Sequence, residues 1–191
     1  MTNFSLGRLL RPLIWLCRDR RAVSAVEFAL ILPLMLTLYL GGSELSHALI
    51  IARKVTHVTS SLGDLVTQSK TITDSDMSNI LDAAASVMTP YTTASLLKIK
   101  VSGISIDSKG KATVMWSDAR NDTPLTKNTV ITGLPAAVLT PSTFIVTAEV
   151  HYAYTPTIGY LMTGTFDLKD QFYLRPRLSD CISRPSGYVC S

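Results

Sequence analysis

The chain has 191 residues, 18 basic and 14 acidic side chains and three cysteines. The first 21 residues hold five arginines and one aspartate, which accounts for the whole net charge of +4; the remainder sets 13 basic against 13 acidic groups. The folded part therefore lacks the basic stripe that a nucleic-acid partner needs, and the 149 residues after position 42 suffice for one small domain but hardly two.

Residues 1–21 alternate apolar side chains, among them Phe4, Leu9, Leu13 and Trp15, with Arg8, Arg11, Arg18, Arg20 and Arg21. The pattern suits a short amphipathic helix on the inner membrane surface, or equally a disordered cytoplasmic tail. It is a poor conventional signal peptide: the arginines interrupt the apolar part, Pro12 breaks it, and no small-residue cleavage box follows a clean core.

Val23–Gly42 is the one long apolar run. Its 20 residues span about 30 Å as a helix, the thickness of a bilayer's hydrocarbon core. Arginines on its N-terminal side stay in the cytoplasm, so the remainder of the chain is expected to face outward; Arg53 and Lys54, beyond the run, oppose this but are fewer. Pro33 removes one helical hydrogen bond and favours a kink. Glu27 is the only charge in the run, and a lone carboxylate in a spanning segment marks a functional position by default.

From Ser43 the apolar residues Leu45, Leu49, Ala52, Val55, Val58, Leu62 and Leu65 recur at three- and four-residue intervals. This predicts that the same helix leaves the membrane and becomes amphipathic up to about Val66. Thr73-Asp74-Ser75-Asp76 reads as a helix start, with Met77, Ile80, Leu81, Ala84 and Met88 on one face and Thr89-Pro90 as the stop. Asp74 and Asp76 are read as capping groups, because the glycine and distal glutamate of a calcium loop are missing.

Strands follow. Leu96–Ile106 and Lys111–Ser117 flank the turn Asp107-Ser108-Lys109-Gly110, with a bulge expected at Gly103, where the apolar alternation changes phase. Residues 118–141 read mostly as loop. Phe144, Val146, Ala148, Val150, Tyr152 and Tyr154 form one strand face, with Thr147, Glu149 and His151 on the other. Gly164–Leu174 is a last strand, expected to break around Asp170. The pattern is α+β: a long N-terminal transmembrane helix continuing into a small, pilin-like periplasmic domain with an antiparallel sheet of three to five strands. The expected divisions are a basic cytoplasmic leader at 1–22, the transmembrane and emergent helix at 23–66, and the α+β domain with its cysteine loop at 67–191.

Cys17 lies in the leader, whereas Cys181 and Cys190 would face an oxidising compartment, where two cysteines can bridge; the alternative is a pair of free thiols. No histidine lies near them and no CxxC occurs, so no metal is expected. His47, His57 and His151 are scattered, and no GxSxG, P-loop or HExxH is present. The chain is read as non-enzymatic and without a cofactor.

The segment Arg20-Arg21-Ala22-Val23-Ser24-Ala25-Val26-Glu27-Phe28-Ala29-Leu30-Ile31-Leu32-Pro33 resembles the start of TadE/TadG-like proteins, minor pilin-like subunits of the Tad (tight adherence) machinery that builds type IVb pili. The resemblance covers about residues 18–50 and is looser near Tyr152–Pro156 and Arg175-Pro176-Arg177. It implies processing by a prepilin peptidase between Ala22 and Val23, which would put Glu27 fifth and Phe28 sixth in the mature chain. Ala22 stands where glycine is usual, and Phe28 where tyrosine is common in the major pilin. The implied partners are the membrane, other pilin-like subunits, the Tad assembly platform and the peptidase. Cleavage would expose an amine at Val23, charged at neutral pH because such groups have a pKa near 8. Glu27 could pair with it on its own or a neighbouring chain and set the register of assembly, or could snorkel to the interface of an uncleaved anchor. A membrane-tethered periplasmic binding module or enzyme is the third reading, and it would require a polar pocket in the sheet domain.

Overall fold

The computed structural model describes residues 20–91, 95–156, 158–159 and 163–190. The expected surface helix at 1–21 and Cys17 lie essentially outside this range. Helix α1 (Arg20–Thr67) runs without interruption through Pro33. Helix α2 (Asp74–Val87) follows after a short turn. Among the described residues, five strands form one antiparallel sheet: β1 (Leu97–Ile106), β2 (Ala112–Arg120), β3 (Val130–Ile131), β4 (Thr143–Tyr154) and β5 (Phe166–Leu174), in the order β3-β2-β1-β4-β5. The architecture is α+β, with a long apolar N-terminal helix followed by a small antiparallel-sheet domain.

The described residues divide into two compact units, one holding 20–46 and the other most of 47–156 with 164–190. In the second unit, α1 buries Ala48, Ile51, Val55, Val58, Leu62 and Val66, the three- and four-residue spacing of one helical stripe. Each fully buried aliphatic side chain of this row contributes about 1.5–3 kcal/mol. Gly63 permits the close approach: a Cβ there would stand 3.4 Å from that of Ala148 and 2.4 Å from a methyl of Leu174. Near the start of this stretch the Lys54 ammonium donates to Thr89 O at 2.6 Å and lies 5.3 Å from the Tyr91 ring centroid.

Thr73 is the N-cap of α2. Its hydroxyl accepts the Asp76 N–H, while Asp76 accepts the Thr73 N–H at 3.0 Å, a reciprocal capping box. The Thr73 hydroxyl and N–H hold the Asp76 carboxyl below its ordinary range. In the β1–β2 turn, Asp107 Oδ1 accepts the N–H groups of Lys109 and Lys111, both at 2.8 Å, and Gly110 supplies the positive φ of 80°.

Two local expectations are corrected, at residues 118–120 and at Asp170, while the bulge expected at Gly103 is present. β1 stays in register with β4, and the shift lies in the β1–β2 ladder, where Gly103 faces Trp116 and Ile104 faces Val114, leaving Met115 of β2 as the extra residue. The apolar phase changes because the sheet buries both faces. Ile104, Ile106, Ala112 and Ile145 form a second small cluster, covered by Ile131, Leu134, Val138 and Leu139. Asp118, Ala119 and Arg120 belong to β2, not to a loop, because they pair with Val101, Lys100 and Ile99. β5 is continuous through Asp170, which pairs with Val150; an edge strand tolerates a charge that a central strand would exclude.

Gly103 sits under two rings. A Cβ there would meet the Trp116 indole at 2.4 Å and Phe144 Cζ at 2.6 Å. Trp116 cannot easily yield, since its Nε1–H donates to Ile182 O at 3.0 Å. Gly103→Ala is therefore expected to lower stability by about 1–3 kcal/mol through overpacking. Urea unfolding of the detergent-solubilised chain measures this, and an unchanged midpoint would contradict the packing described.

Candidate functional site

The sequence-derived site residues lie on the first turns of α1. The Ala22–Val23 bond is within the first turn. Glu27 is exposed, as are Val26 and Phe28. Val23 and Glu27 are four residues apart and so share one helix face. Along the next four turns, large apolar side chains point outward in every direction, with Leu30 74 % and Leu34 60 % exposed. A helix apolar all round, uncovered over these turns among the described residues, is one whose solvent is lipid or another helix. By length and composition this helix can cross a membrane once. Glu27 is a single carboxylate set into that surface.

The sheet domain brings other residues together. Cys181 and Cys190 are joined by a disulfide. The loop they close is pinned by Arg184, a residue the sequence reading did not single out. Its guanidinium is buried and donates from Nη1 to Ile72 O at 2.9 Å and Thr73 O at 2.8 Å. From Nη2 it donates to Asp74 Oδ1 at 2.8 Å and Asp118 Oδ1 at 2.7 Å. Burial pushes the Asp118 carboxyl up, and the adjacent guanidinium partly offsets this. Ser186 adds a bond to Asp74 at 2.9 Å, and the Tyr188 ring stacks on Phe144 at 6.0 Å. Beside this clasp lies an open cleft of about 420 Å³ between α2 and β2, whose charged groups Asp74, Asp82, Asp118, Arg120 and Arg184 are paired with one another. A second hollow of about 190 Å³, floored by Lys100, Thr147 and Glu149, lies on the sheet face that carries the smaller apolar cluster.

His47 and His57 are exposed and separate on α1. His151 is not isolated: Nε2 stands 2.8 Å from Glu149 Oε1 and Nδ1 2.9 Å from Asp167 Oδ2. Lys100 closes the network at 3.1 Å from both Glu149 and Asp122. Burial pulls the imidazole pKa down, but the hydrogen bonds to Glu149 and Asp167 outweigh it, and the net direction is up from 6.5. A doubly protonated ring donates to both carboxylates. The network's stabilisation is thus fully present below pH 6.5 and is lost as pH rises through the folded-state value. Wild type is expected to exceed His151→Gln in stability at pH 5.5 by more than at pH 8.5, as read from paired thermal melts. A pH-independent difference would contradict this. Among the described residues, no cluster of three histidine, cysteine or carboxylate side chains is arranged to hold a metal ion.

No curated protein and no solved structure matches the chain. Residues 22–61, the exposed apolar helix and most of its packed continuation, match the family model described as TadE-like protein. The segment that carries Glu27 is therefore TadE-like.

Proposed function

We propose that this chain is a non-catalytic, pilin-like structural component of a Tad-type pilus assembly and secretion system. It is inserted in the bacterial inner membrane with its N-terminus inside and its sheet domain in the periplasm, and a prepilin peptidase cuts it between Ala22 and Val23. The observation that carries the reading is the apolar helix, exposed on every side from Val23 to Leu36, with one carboxylate, Glu27, at the fifth position after the cut, inside a TadE-like segment. Arginines clustered before the span favour the inward N-terminus, and a disulfide in the distal domain suits an oxidising compartment.

The work of such a subunit is assembly. Its helix surface packs on other pilin-like helices, and Glu27 pairs with a new amine at Val23, on its own chain or on a neighbour. In a low-dielectric environment an unpaired carboxylate costs several kcal/mol, so such pairing favours one register over its alternatives. Intact mass and N-terminal sequencing of the protein from membranes containing its own prepilin peptidase test the processing step. A chain beginning at Val23 is expected. A chain beginning at Met1 would leave a permanent single-span envelope anchor of the same machinery, with Glu27 as an interfacial charge.

A further inference from the structure

One face of α1 carries a row at three- and four-residue intervals: Glu27, Ile31, Leu34, Leu38, Gly42, Leu45, Leu49 and Arg53. All of them are exposed. The row has an acid at one end, a base at the other and no charge between them. Glu27 and Arg53 are 26 residues apart in the sequence, about 39 Å of helical rise. A bilayer with its headgroups is about 40–45 Å thick.

The apolar run of the sequence ends at Gly42, because Ser43 and Glu44 follow. Glu44 is not on the exposed row. It is 2 % exposed and in line with Ala48, Ile51 and Val55, the stripe that α1 buries. The exposed face therefore stays apolar past Gly42, through Leu45 at 53 %, Leu49 at 51 % and Ile50 at 45 % exposure. Ser46, between them, donates its hydroxyl to Gly42 O at 2.8 Å and so brings no unmet donor to that surface.

A span from Val23 to Gly42 places Glu27 inside hydrocarbon. A span that starts at Phe28 and ends at Gly42 has only 15 residues, about 22 Å, and is too short to cross. We propose that the hydrocarbon begins beyond Glu27 and reaches Leu49, so that lipid covers the exposed face of α1 about two turns past Gly42. Phe28 to Leu49 is 22 residues, about 33 Å, which a modest tilt accommodates. Glu27 then stands among the inner headgroups and Arg53 among the outer ones. Lipid is the occupant because the spacing of these two charges matches the bilayer. The Tyr39 hydroxyl and the His47 ring, both exposed, are left at hydrocarbon depth. Removing a carboxylate from that depth and covering three large apolar side chains outweigh them. The inference rests on reading α1 as a single span and is independent of the Tad assignment and of cleavage.

The test uses the full chain carrying Cys17→Ser, with single spin labels introduced through Leu34→Cys, Leu49→Cys or Thr56→Cys; the bridged Cys181–Cys190 pair takes no label. Each is reconstituted in phosphatidylethanolamine–phosphatidylglycerol vesicles and power-saturated with oxygen or a water-soluble nickel chelate. The label at 49 is expected to collide with oxygen and to be several-fold protected from nickel relative to the label at 56. A label at 49 as open to nickel as that at 56, with the label at 34 still in lipid, would overturn the proposal and leave the span ending at Gly42. Protection at 49 from both reagents would overturn it too, by showing cover from protein rather than lipid. Nickel access at 34 would remove the span and the proposal together.

Discussion

Arg184→Ala will destabilise the sheet domain by about 3–5 kcal/mol, the range for removing one partner of a buried ion pair. That is a large share of the 5–15 kcal/mol that holds a small domain together. Arg184 is 4 % exposed and satisfies two backbone carbonyls, at Ile72 and Thr73, as well as Asp74 and Asp118. Alanine would remove a donor from each carbonyl, leaving Thr73 O with the Met77 N–H alone, and strand the Asp118 carboxylate, which burial already disfavours. It would also loosen the cysteine loop at the start of α2, leaving the Ser186–Asp74 bond and the Ser183 backbone bonds to hold it. Arg184→Lys keeps the charge but not the planar fork, so it should fall between wild type and alanine. Asp118→Asn in the Arg184→Ala background should recover part of the loss by removing the stranded charge. Urea unfolding of the detergent-solubilised chain measures all three, and a loss below about 1 kcal/mol for Arg184→Ala would show that the clasp is not a structural pin.

Glu27→Ala is expected to abolish incorporation into pili while leaving membrane insertion intact. The substitution makes the segment more apolar, so insertion is not penalised. In the proposed assembly it removes the partner for an amine at Val23, and with it the preference for one axial register. Glu27→Gln keeps shape and hydrogen bonding but not charge, and should rescue assembly only weakly. Membrane fractionation and quantitation of the chain in sheared pili separate the two effects. Wild-type incorporation of Glu27→Ala would defeat the register role, whatever the processing state.

The parts of this fold that were legible in the sequence are those fixed by local periodicity. α1 announces itself twice, by an unbroken apolar run and then by the stripe Val55–Val58–Leu62, and its end at Thr67 lies one residue beyond the expected Val66. β4 shows the same directness, since Phe144 to Tyr154 alternate as a strand that packs on a helix. The phase change at Ile104 and Ile106 was legible as the bulge at Gly103, but not that residues 131–139 cover the face they occupy. The errors arise where the partners are remote. Asp118 and Arg120 looked like loop residues because their charges are answered by Arg184 and Asp82, far away in sequence.

Arg184 itself carries no local signature. Its position in the Cys181–Cys190 loop is the only hint, and the four groups that satisfy it come from two other elements. His151 was placed correctly on the polar strand face, but its bond to Asp167 depends on the β4–β5 register, which periodicity alone does not supply. Glu27 stood out for another reason. A charge within an apolar run costs free energy, so its presence calls for a partner even before the fold is known.

The most direct test of the central claim is to ask what touches the exposed face of α1. A photo-crosslinking amino acid at Leu30, in cells producing the whole machinery, reports this at one position. The account predicts a covalent adduct with another pilin-like subunit, lost in the Glu27→Ala background. An unaltered monomer whose only adducts are lipid, in cells that make pili, would contradict it.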